Sequence, residues 1–318
     1  MATAGQVIQA GAGVQPAPGR LAQWWAAVRA GKTGYLFLAP FAIVFFLFTV
    51  LPVLTALGLS FTYYNMLQPP HWIGLVNYRN LFLEDNTFLI GVKNTFFFAV
   101  IAGPATFAAS FLLAWLINMQ RARKALTLIY YAPSLTSAVA MSLIFSYFLS
   151  GDRYGLLNDL LMRLGVINEP YQFLKNVKSI MPSIILVQLW MGLGNGFLVN
   201  LAGLNAVDRN LYEAAAMDGI RTKLQEMWYI TLPMMKPQLL FNAVNAIVTS
   251  FNVFWISAAL VGFPSPQYAG HTIVGVLYDH AFIRFELGYA SAVAVVLFLF
   301  TLGLNRIVFR LLSTKGDY

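Results

Sequence analysis

The sequence of 318 residues contains no cysteine, and only 10% of its residues are charged. Without cysteine the chain has no disulfide framework, no thiolate metal site and no Cys nucleophile. Soluble globular chains carry about 25% charged residues, whereas 59% of the residues here are hydrophobic. The composition therefore excludes a soluble fold and indicates a membrane protein.

Charged residues are missing from six long stretches. These stretches are 33–78, 94–120, 125–151, 179–207, 237–278 and 287–305. Each is long enough for the roughly 20 apolar residues that cross a bilayer as a helix. The apolar segments inside them predict six transmembrane helices, at about 35–60, 94–118, 126–149, 180–202, 238–261 and 288–310. The expected fold class is an all-α integral membrane protein of the cytoplasmic (inner) membrane that crosses it six times.

The distribution of basic residues predicts the orientation. With the amino terminus inside, thirteen of the twenty Lys and Arg residues fall in internal segments. The positive-inside rule then predicts that both termini are cytoplasmic. The outer loop 151–178 runs against this trend, because it carries four basic residues. The net charge of +8 is thus interpreted as an orientation signal, and no nucleic-acid partner is expected.

The two ends of the chain differ in composition from the span-rich part. Residues 1–19 are uncharged and rich in Ala, Gly, Gln and Pro, which predicts a disordered tail. Trp24 and Trp25 lie beside basic residues in 20–32, which predicts a short amphipathic helix on the inner leaflet. The six-helix domain is expected over 33–312 and a tail over 313–318. A signal peptide is the alternative for the first apolar stretch, but no small-residue cleavage site follows that stretch.

No Asp, Glu, Lys, Arg or His lies in the cores of the six predicted spans, since Arg306 and Arg310 fall at the internal end of the last one. Proton- and ion-coupled transporters usually carry such a residue at depth, so energy is expected to come from another chain. The three histidines, His71, His271 and His280, fall in predicted outer loops without metal-ligand spacing and are interpreted as solvated. Gly31-Lys32-Thr33 lacks the earlier glycine of a phosphate loop, since Ala26 occupies that position. We expect neither a bound metal or cofactor nor an enzyme.

The loop 203–236 contains signals for two short helices. Asn210-x-x-Glu213 and Thr222-x-x-Gln225 resemble capping boxes, and Gly219 between them is a typical helix stop. Three consecutive alanines, 214–216, let the first helix approach another protein surface closely. From these residues alone, an amphipathic hairpin resting on the bilayer explains the loop equally well.

The full string in this loop carries a family resemblance. Glu213-Ala214-Ala215-Ala216-Met217-Asp218-Gly219 followed by Ile230-Thr231-Leu232-Pro233 resembles the EAA motif of permease subunits from binding-protein-dependent ABC importers, and its place in the chain is similar to the sugar-importer (maltose-type) branch. The resemblance implies a coupling helix that seats in a cleft of a cytoplasmic ATPase subunit. It assigns the contact to Glu213, Ala214, Ala215 and Gly219, and the shape of the loop to Asp218, Leu232 and Pro233. Ten residues rather than nine separate Gly219 from Ile230, which leaves the register of the second half open.

The resemblance extends over roughly residues 32–312. Further matches are Gly74-Leu75-Val76-Asn77-Tyr78, Gly155-Leu156-Leu157-Asn158, Gly203-Leu204 and Gly288-Tyr289-Ala290-Ser291-Ala292. By resemblance, the assembly contains a second and different permease, two ATPase subunits that bind ATP and Mg²⁺, and an extracytoplasmic solute-binding protein. The loops 262–287 and 150–179 are the expected contacts of that binding protein.

Polar side chains in the fourth and fifth predicted spans are candidates for the substrate pathway. The fifth span places Asn242, Asn245, Thr249 and Asn252 within about 80 degrees of one face, with Trp255 nearby, and the fourth span adds Gln188, Trp190 and Asn195. Amides in a membrane either hydrogen-bond neighbouring helices or, beside aromatic rings, bind carbohydrate. The cluster Gly192-x-Gly194-x-Gly196 indicates either close packing or a local helix break.

The function expected from these features is import of sugars or oligosaccharides by alternating access, driven by a separate ATPase. Within the same class, the alternative cargo is another small solute, such as a glycerol phosphate ester or an acidic oligosaccharide. A channel-like protein or a noncatalytic membrane scaffold is the alternative from another class. Both would function without an ATPase partner and would leave the capped, alanine-rich loop unexplained.

Overall fold

The computed structural model describes residues 31–251 and 253–312. The predicted tails, nearly all of the predicted amphipathic helix 20–32 and the candidate pathway residue Asn252 lie outside the described residues. The chain divides into two compact units, 1–55 and 56–318.

The first unit contains most of α1, a 27-residue helix over Thr33–Leu59. At 1.5 Å per residue this helix is about 40 Å long, enough to cross the hydrocarbon layer. A π turn at Phe46–Val50 precedes Pro52, and the Thr55 hydroxyl donates to the Pro52 carbonyl at 2.8 Å. Such local adjustments satisfy backbone groups that a proline inside a membrane helix leaves free. The large apolar side chains of this unit are exposed, as expected of a helix that faces lipid or protein.

The second unit is helical apart from one small hairpin. Its strands are β1 (Thr62–Tyr63) and β2 (His71–Trp72), which pair antiparallel with Thr62 opposite Trp72. Its helices are α2 (Val76–Leu83), α3 (Asn86–Asn118), α4 (Arg123–Tyr131), α5 (Ala138–Phe148), α6 (Leu156–Arg163), α7 (Val177–Ala206), α8 (Arg209–Met217), α9 (Lys223–Glu226), α10 (Lys236–Phe251), α11 (Phe254–Val261), α12 (Ile273–Tyr278) and α13 (Leu287–Leu312). Within the described residues, π turns extend α9 over Met227–Thr231 and α12 over Asp279–Ile283.

The predicted spans are present, with two differences. Among the described residues, four helices are long and apolar enough to cross a membrane, and the number is six when each bent helix pair is one crossing. The third predicted span consists of two helices, α4 and α5, which are bent by 97° at the break between them. Pro133 lies in the 3₁₀ turn before this break, and Ser137 caps the start of α5 by accepting from the Ala140 N–H at 3.2 Å. The fifth span is likewise two helices, α10 and α11, bent by 42°.

The core of the second unit lies along α3 and α7. Near the start of α3, Phe98 packs with Ile184 of α7 and Val253 in one buried cluster. Near its end, Phe111 packs with Phe197 of α7 and with the buried residues that flank the start of α10. A third cluster, which includes Phe88, Ile273 and Val293, joins the start of α3 to α12 and α13. The same helix therefore connects both ends of the bundle.

The glycine cluster of α7 serves close packing. The helix continues through Gly192, Gly194 and Gly196 without a break. A Cβ at Gly194 would overlap with the side chain of Ser134, in the 3₁₀ turn between α4 and α5. A Cβ at Gly196 would lie 2.8 Å from Asn242 Oδ1 and 3.0 Å from Ser110 Oγ. The glycines thus allow α7 to contact three other segments.

We expect Gly194→Ala to destabilise the protein by about 1–3 kcal/mol, because the methyl group overpacks a buried helix contact. Gly303→Ala in α13 is the matched control, since a Cβ there meets nothing within 4 Å. Its expected effect is neutral or stabilising by up to about 1 kcal/mol. Thermal unfolding of the two detergent-solubilised variants measures both effects. An equal midpoint for Gly194→Ala and wild type would contradict the packing role.

Candidate functional site

The first half of the loop between α7 and α10 is the helix α8. Asp208 caps this helix, and its carboxylate accepts from the Asn210 N–H at 3.0 Å. The predicted capping box at Asn210 and Glu213 was wrong, because the helix already begins at Arg209 and Asp208 is the first residue able to cap it. Because Asp208 caps the helix, the Glu213 side chain is not needed for capping and faces outward.

The end of α8 at Gly219 is as the sequence predicts. The Ile220 N–H donates to the Ala215 carbonyl at 3.0 Å, and the Gly219 N–H donates to the Ala216 carbonyl at 3.4 Å. These two bonds form a Schellman motif, which requires a left-handed residue after the helix. Gly219 supplies it with a φ of +96°. Since other residues rarely adopt this angle, glycine fixes where α8 ends.

The second half of the loop begins with the predicted capping box. The Thr222 hydroxyl accepts from the Gln225 N–H at 3.2 Å, and the Gln225 side chain accepts from the Thr222 N–H at 3.1 Å. The π turn Met227–Thr231 follows directly. A π turn contains one residue more than an α turn. In this turn Ile230 is buried, and Trp228 and Tyr229 are exposed.

The predicted docking residues of this loop do not all lie at the surface. Glu213, Ala214, Asp218, Gly219 and Pro233 are exposed, whereas Leu232 is partly buried and Ala215 is buried. Ala215 points inward because it lies three residues from Tyr212, so both occupy the same face of α8. Met217 is 89% exposed and extends the outward face. The loop thus presents a short helix with an acidic and small-residue surface.

The structure separates the candidate pathway residues into two groups. Asn242 is buried, and its amide donates to Ser110 Oγ at 3.2 Å, while Asn200 donates to the same oxygen at 3.3 Å. Gln188 and Asn245 are partly buried, and Trp190, Asn195, Thr249 and Trp255 are exposed. The Asn242 amide therefore joins α10 to α3 and α7, and the others lie at or near the surface of the unit.

Trp190 lines an apolar groove of about 540 Å³ between α3, α5 and α7. Among the described residues, the other candidate pathway residues do not line this groove. Sequence reasoning missed Ser110 and Asn200, which form a polar contact with Asn242 inside the helix bundle. The one signal for Asn200 was its position in α7, four residues after the last of the clustered glycines.

A polar cluster at the opposite end of α3 was also missed. Asp85 caps α3 through the Phe88 N–H at 2.9 Å and accepts from the Tyr289 hydroxyl of α13 at 2.8 Å. His280 Nδ1 lies 2.7 Å from Glu286 Oε2, and its Nε2 lies 3.8 Å from Asp85 Oδ2. The cluster joins three elements of the unit, and it lines a polar cavity of about 420 Å³ with Glu84 and Arg284.

The interpretation of the histidines as solvated holds for His71 and was wrong for the other two. His71 is exposed, but His271 and His280 are buried. His271 stacks on Phe263 with ring centroids 4.8 Å apart and contacts the Ser265 hydroxyl at 3.2 Å. Burial therefore lowers the pKa of His271 despite the charge of Asp279. The helical segment that buries both rings had no strong sequence signal.

The cluster around His280 shifts the pKa of its members. Burial alone lowers the pKa of His280, but the Asp85 and Glu286 carboxylates outweigh burial and raise it above 6.5. Burial alone raises the pKa of Asp85, but hydrogen bonds from His280, the Phe88 N–H and Tyr289 outweigh it and lower the pKa to about 2. The His280 side chain between two carboxylates thus links the segments at this end of the bundle.

We expect the cluster to stabilise the fold most between about pH 4 and 6.5. The contribution of His280 is complete below 6.5 and is lost as the pH rises through its raised folded-state pKa, while that of Asp85 is lost as the pH falls from 3.8 towards 2. His280→Gln should therefore remove part of the decline in melting temperature between pH 6 and 9, and exposed His71→Gln should not. Identical pH profiles for His280→Gln and wild type would disprove this role.

Comparison with known proteins identifies the family to which this chain belongs. Residues 105–313 match the family described as the binding-protein-dependent transport system inner membrane component. The chain belongs to this family, so it is a permease subunit of an ABC importer and a multi-pass protein of the inner membrane. The family match includes α8 and the π turn that follows it, together with α7 and α10 on either side.

Two relatives from Bacillus subtilis (strain 168) align with nearly the whole chain. The probable ABC transporter permease protein YesP is 30% identical over 90% of this chain and 92% of its own length. The arabinooligosaccharides transport system permease protein AraP is 31% identical over 89% of this chain and 90% of its own length. A solved structure is also similar: the crystal structure of a bacterial ABC transporter involved in the import of the acidic polysaccharide alginate. One of its chains superposes on this protein with a TM-score of 0.74 and is 26% identical in sequence. The match covers 91% of this chain and 99% of that chain.

Proposed function

We propose that this permease imports sugars or oligosaccharides by alternating access, driven by an ATPase that docks on α8. The observation that carries this proposal is the outward face of α8, where exposed Glu213 and Met217 flank small residues on a helix capped at both ends. A helix of nine residues with fixed ends is a defined surface that another protein can bind. A channel or a scaffold would have no use for such an element.

The partners follow from the same proposal. A second, different permease completes the membrane domain, and two ATPase subunits bind ATP and Mg²⁺, so this chain itself holds no cofactor and is not catalytic. The ATPase side is cytoplasmic, as are both termini, in keeping with the basic residues that flank this end of the helices. The solute-binding protein contacts the opposite side, through 262–287 and 150–179.

The proposed cargo class rests on the predicted membrane cores and on the relatives. The cores carry no ionisable side chain, which suits a neutral molecule rich in hydroxyl groups. AraP is named for arabinooligosaccharide transport, which supports an oligosaccharide. The alginate importer supports the alternative of an acidic oligosaccharide, and a glycerol phosphate ester stays a further alternative. The proposed pathway residues of this chain are Gln188, Trp190, Asn195, Asn242, Asn245, Thr249, Asn252 and Trp255.

We expect Glu213→Lys to reduce copurification of the ATPase subunit at least about tenfold, because the charge reversal alters the centre of the docking face. The measurement is recovery of the ATPase from membranes that express this chain with its neighbouring genes. Glu169→Lys, in the exposed segment between α6 and α7, is the matched control and should behave as wild type. Full ATPase recovery and activity with Glu213→Lys would overturn the docking assignment.

A further inference from the structure

The helix α8 contacts the segment that follows it through one side chain on its inner face. The Tyr212 hydroxyl lies 3.0 Å from Thr231 Oγ1, and the Thr231 hydroxyl donates to the Glu226 carbonyl at 3.2 Å. A hydroxyl has a single proton to donate. Because the Thr231 proton is committed to Glu226, Tyr212 is the donor in its bond with Thr231.

The Tyr212 side chain is not fully enclosed by its neighbours. The side chain lines a polar cavity of about 310 Å³, together with Arg123, Asn205, Lys223 and Glu226. The lining also includes apolar side chains such as Trp115 and Leu204, so the tyrosine ring borders a space that is partly polar and partly apolar. Of the contacts that position Tyr212, the hydrogen bond of its hydroxyl is the one with a defined direction.

Thr231 is firmly held at the other end of this bond. It is 2% exposed and is the last residue of the π turn. Beyond it, Met235 and Leu239 pack in the buried cluster that also holds Phe197 of α7. One turn further along α10, Asn242 donates to Ser110 of α3. A displacement of Thr231 is thus passed to α10 and to the helices that α10 contacts.

We infer that Tyr212 is the positioning residue that transmits the movement of α8 to α10 through its hydrogen bond with Thr231. The inference rests on the proposed function, because it requires that the ATPase moves α8. The Tyr212 side chain lies on the inner face of α8, away from Glu213 and Met217, so it acts through Thr231 without touching the ATPase.

Tyr212→Phe isolates the proposed bond. It removes one hydrogen bond and leaves Thr231 with its own acceptor, so no buried donor loses its partner. Tyr229→Phe is the matched control, since Tyr229 lies in the same loop and is 72% exposed. Thr231→Val removes the acceptor, whereas Thr231→Ser keeps a hydroxyl at this position and should restore the wild-type behaviour.

The measurement uses the complete transporter with spin labels on Asn210→Cys in α8 and Phe241→Cys in α10. Both positions are exposed, and the chain has no other cysteine. Distances are recorded by electron spin resonance without nucleotide and with ATP and Mg²⁺ trapped by vanadate. In wild type, Tyr229→Phe and Thr231→Ser, we expect one narrow distance distribution in each state. In Tyr212→Phe and Thr231→Val, we expect the distribution to broaden at least about twofold, with the ATPase still bound.

The double variant of Tyr212→Phe and Thr231→Val distinguishes the bond from general destabilisation. If the two residues act through one bond, the double variant should be no broader than either single variant. An unchanged distribution in Tyr212→Phe, or equal broadening in Tyr229→Phe, would overturn the inference while leaving ATPase docking intact. Loss of the ATPase from the wild-type complex would instead overturn the proposed function. If Tyr212→Phe fails to fold, the comparison of Thr231→Val with Thr231→Ser tests the inference instead. Equal distance distributions in these two variants would then overturn it.

Discussion

The hydrocarbon layer of a membrane offers no hydrogen-bond partners and no counterions, and most of this chain is fitted to that constraint. Backbone groups must be satisfied within helices, so the spans are long and helical. Pro52 and Pro133 lie in or next to turns of other types, whereas Pro104 and Pro182 lie within continuous helices. Polar side chains inside the bundle must form hydrogen bonds with one another. The Ser110 hydroxyl accepts from two amides, Asn200 and Asn242, and thereby joins three helices at one atom.

The same constraint bears on the proposed mechanism of transport. The middle parts of the predicted spans carry no Asp, Glu, Lys, Arg or His, which fits the proposal that an ATPase acts at the ends of the helices. At one end, α8 is a short, capped helix whose connection to α10 runs through a buried threonine and a π turn. At the other end, the His280 cluster joins the beginnings of α3 and α13. Between these two ends, α3 and α7 pack against each other in two buried apolar clusters.

The sequence predicts those features that depend on local residues. Thr222 and Gln225 are three positions apart and form the capping box by themselves, and Gly219 ends α8 because its backbone angle excludes other residues. The number and placement of the apolar spans likewise follow from composition. Features that depend on distant residues were missed. The burial of His280 is an example, because it depends on Asp85, almost two hundred positions away.

The candidate pathway side chains show the same contrast between features that depend on local residues and features that depend on distant ones. The helical period places Asn242, Asn245 and Thr249 on one face of α10. It does not determine which of these side chains another helix covers. Asn242 is covered because Gly196 leaves room for its amide against α7. The spacing between Gly219 and Ile230 was visible in the sequence, whereas the π turn at Met227–Thr231 required the structure.

The most direct test of the account is a cross-link between α8 and the ATPase. Because the chain lacks cysteine, Met217→Cys, at a position 89% exposed, introduces a single thiol into the docking face. A thiol-reactive photo-cross-linker at this position should capture the ATPase subunit in membranes, and the yield should change on addition of ATP and Mg²⁺. Capture of no ATPase, in membranes where a Glu169→Cys control is labelled equally well, would contradict the assignment of α8 as the coupling element.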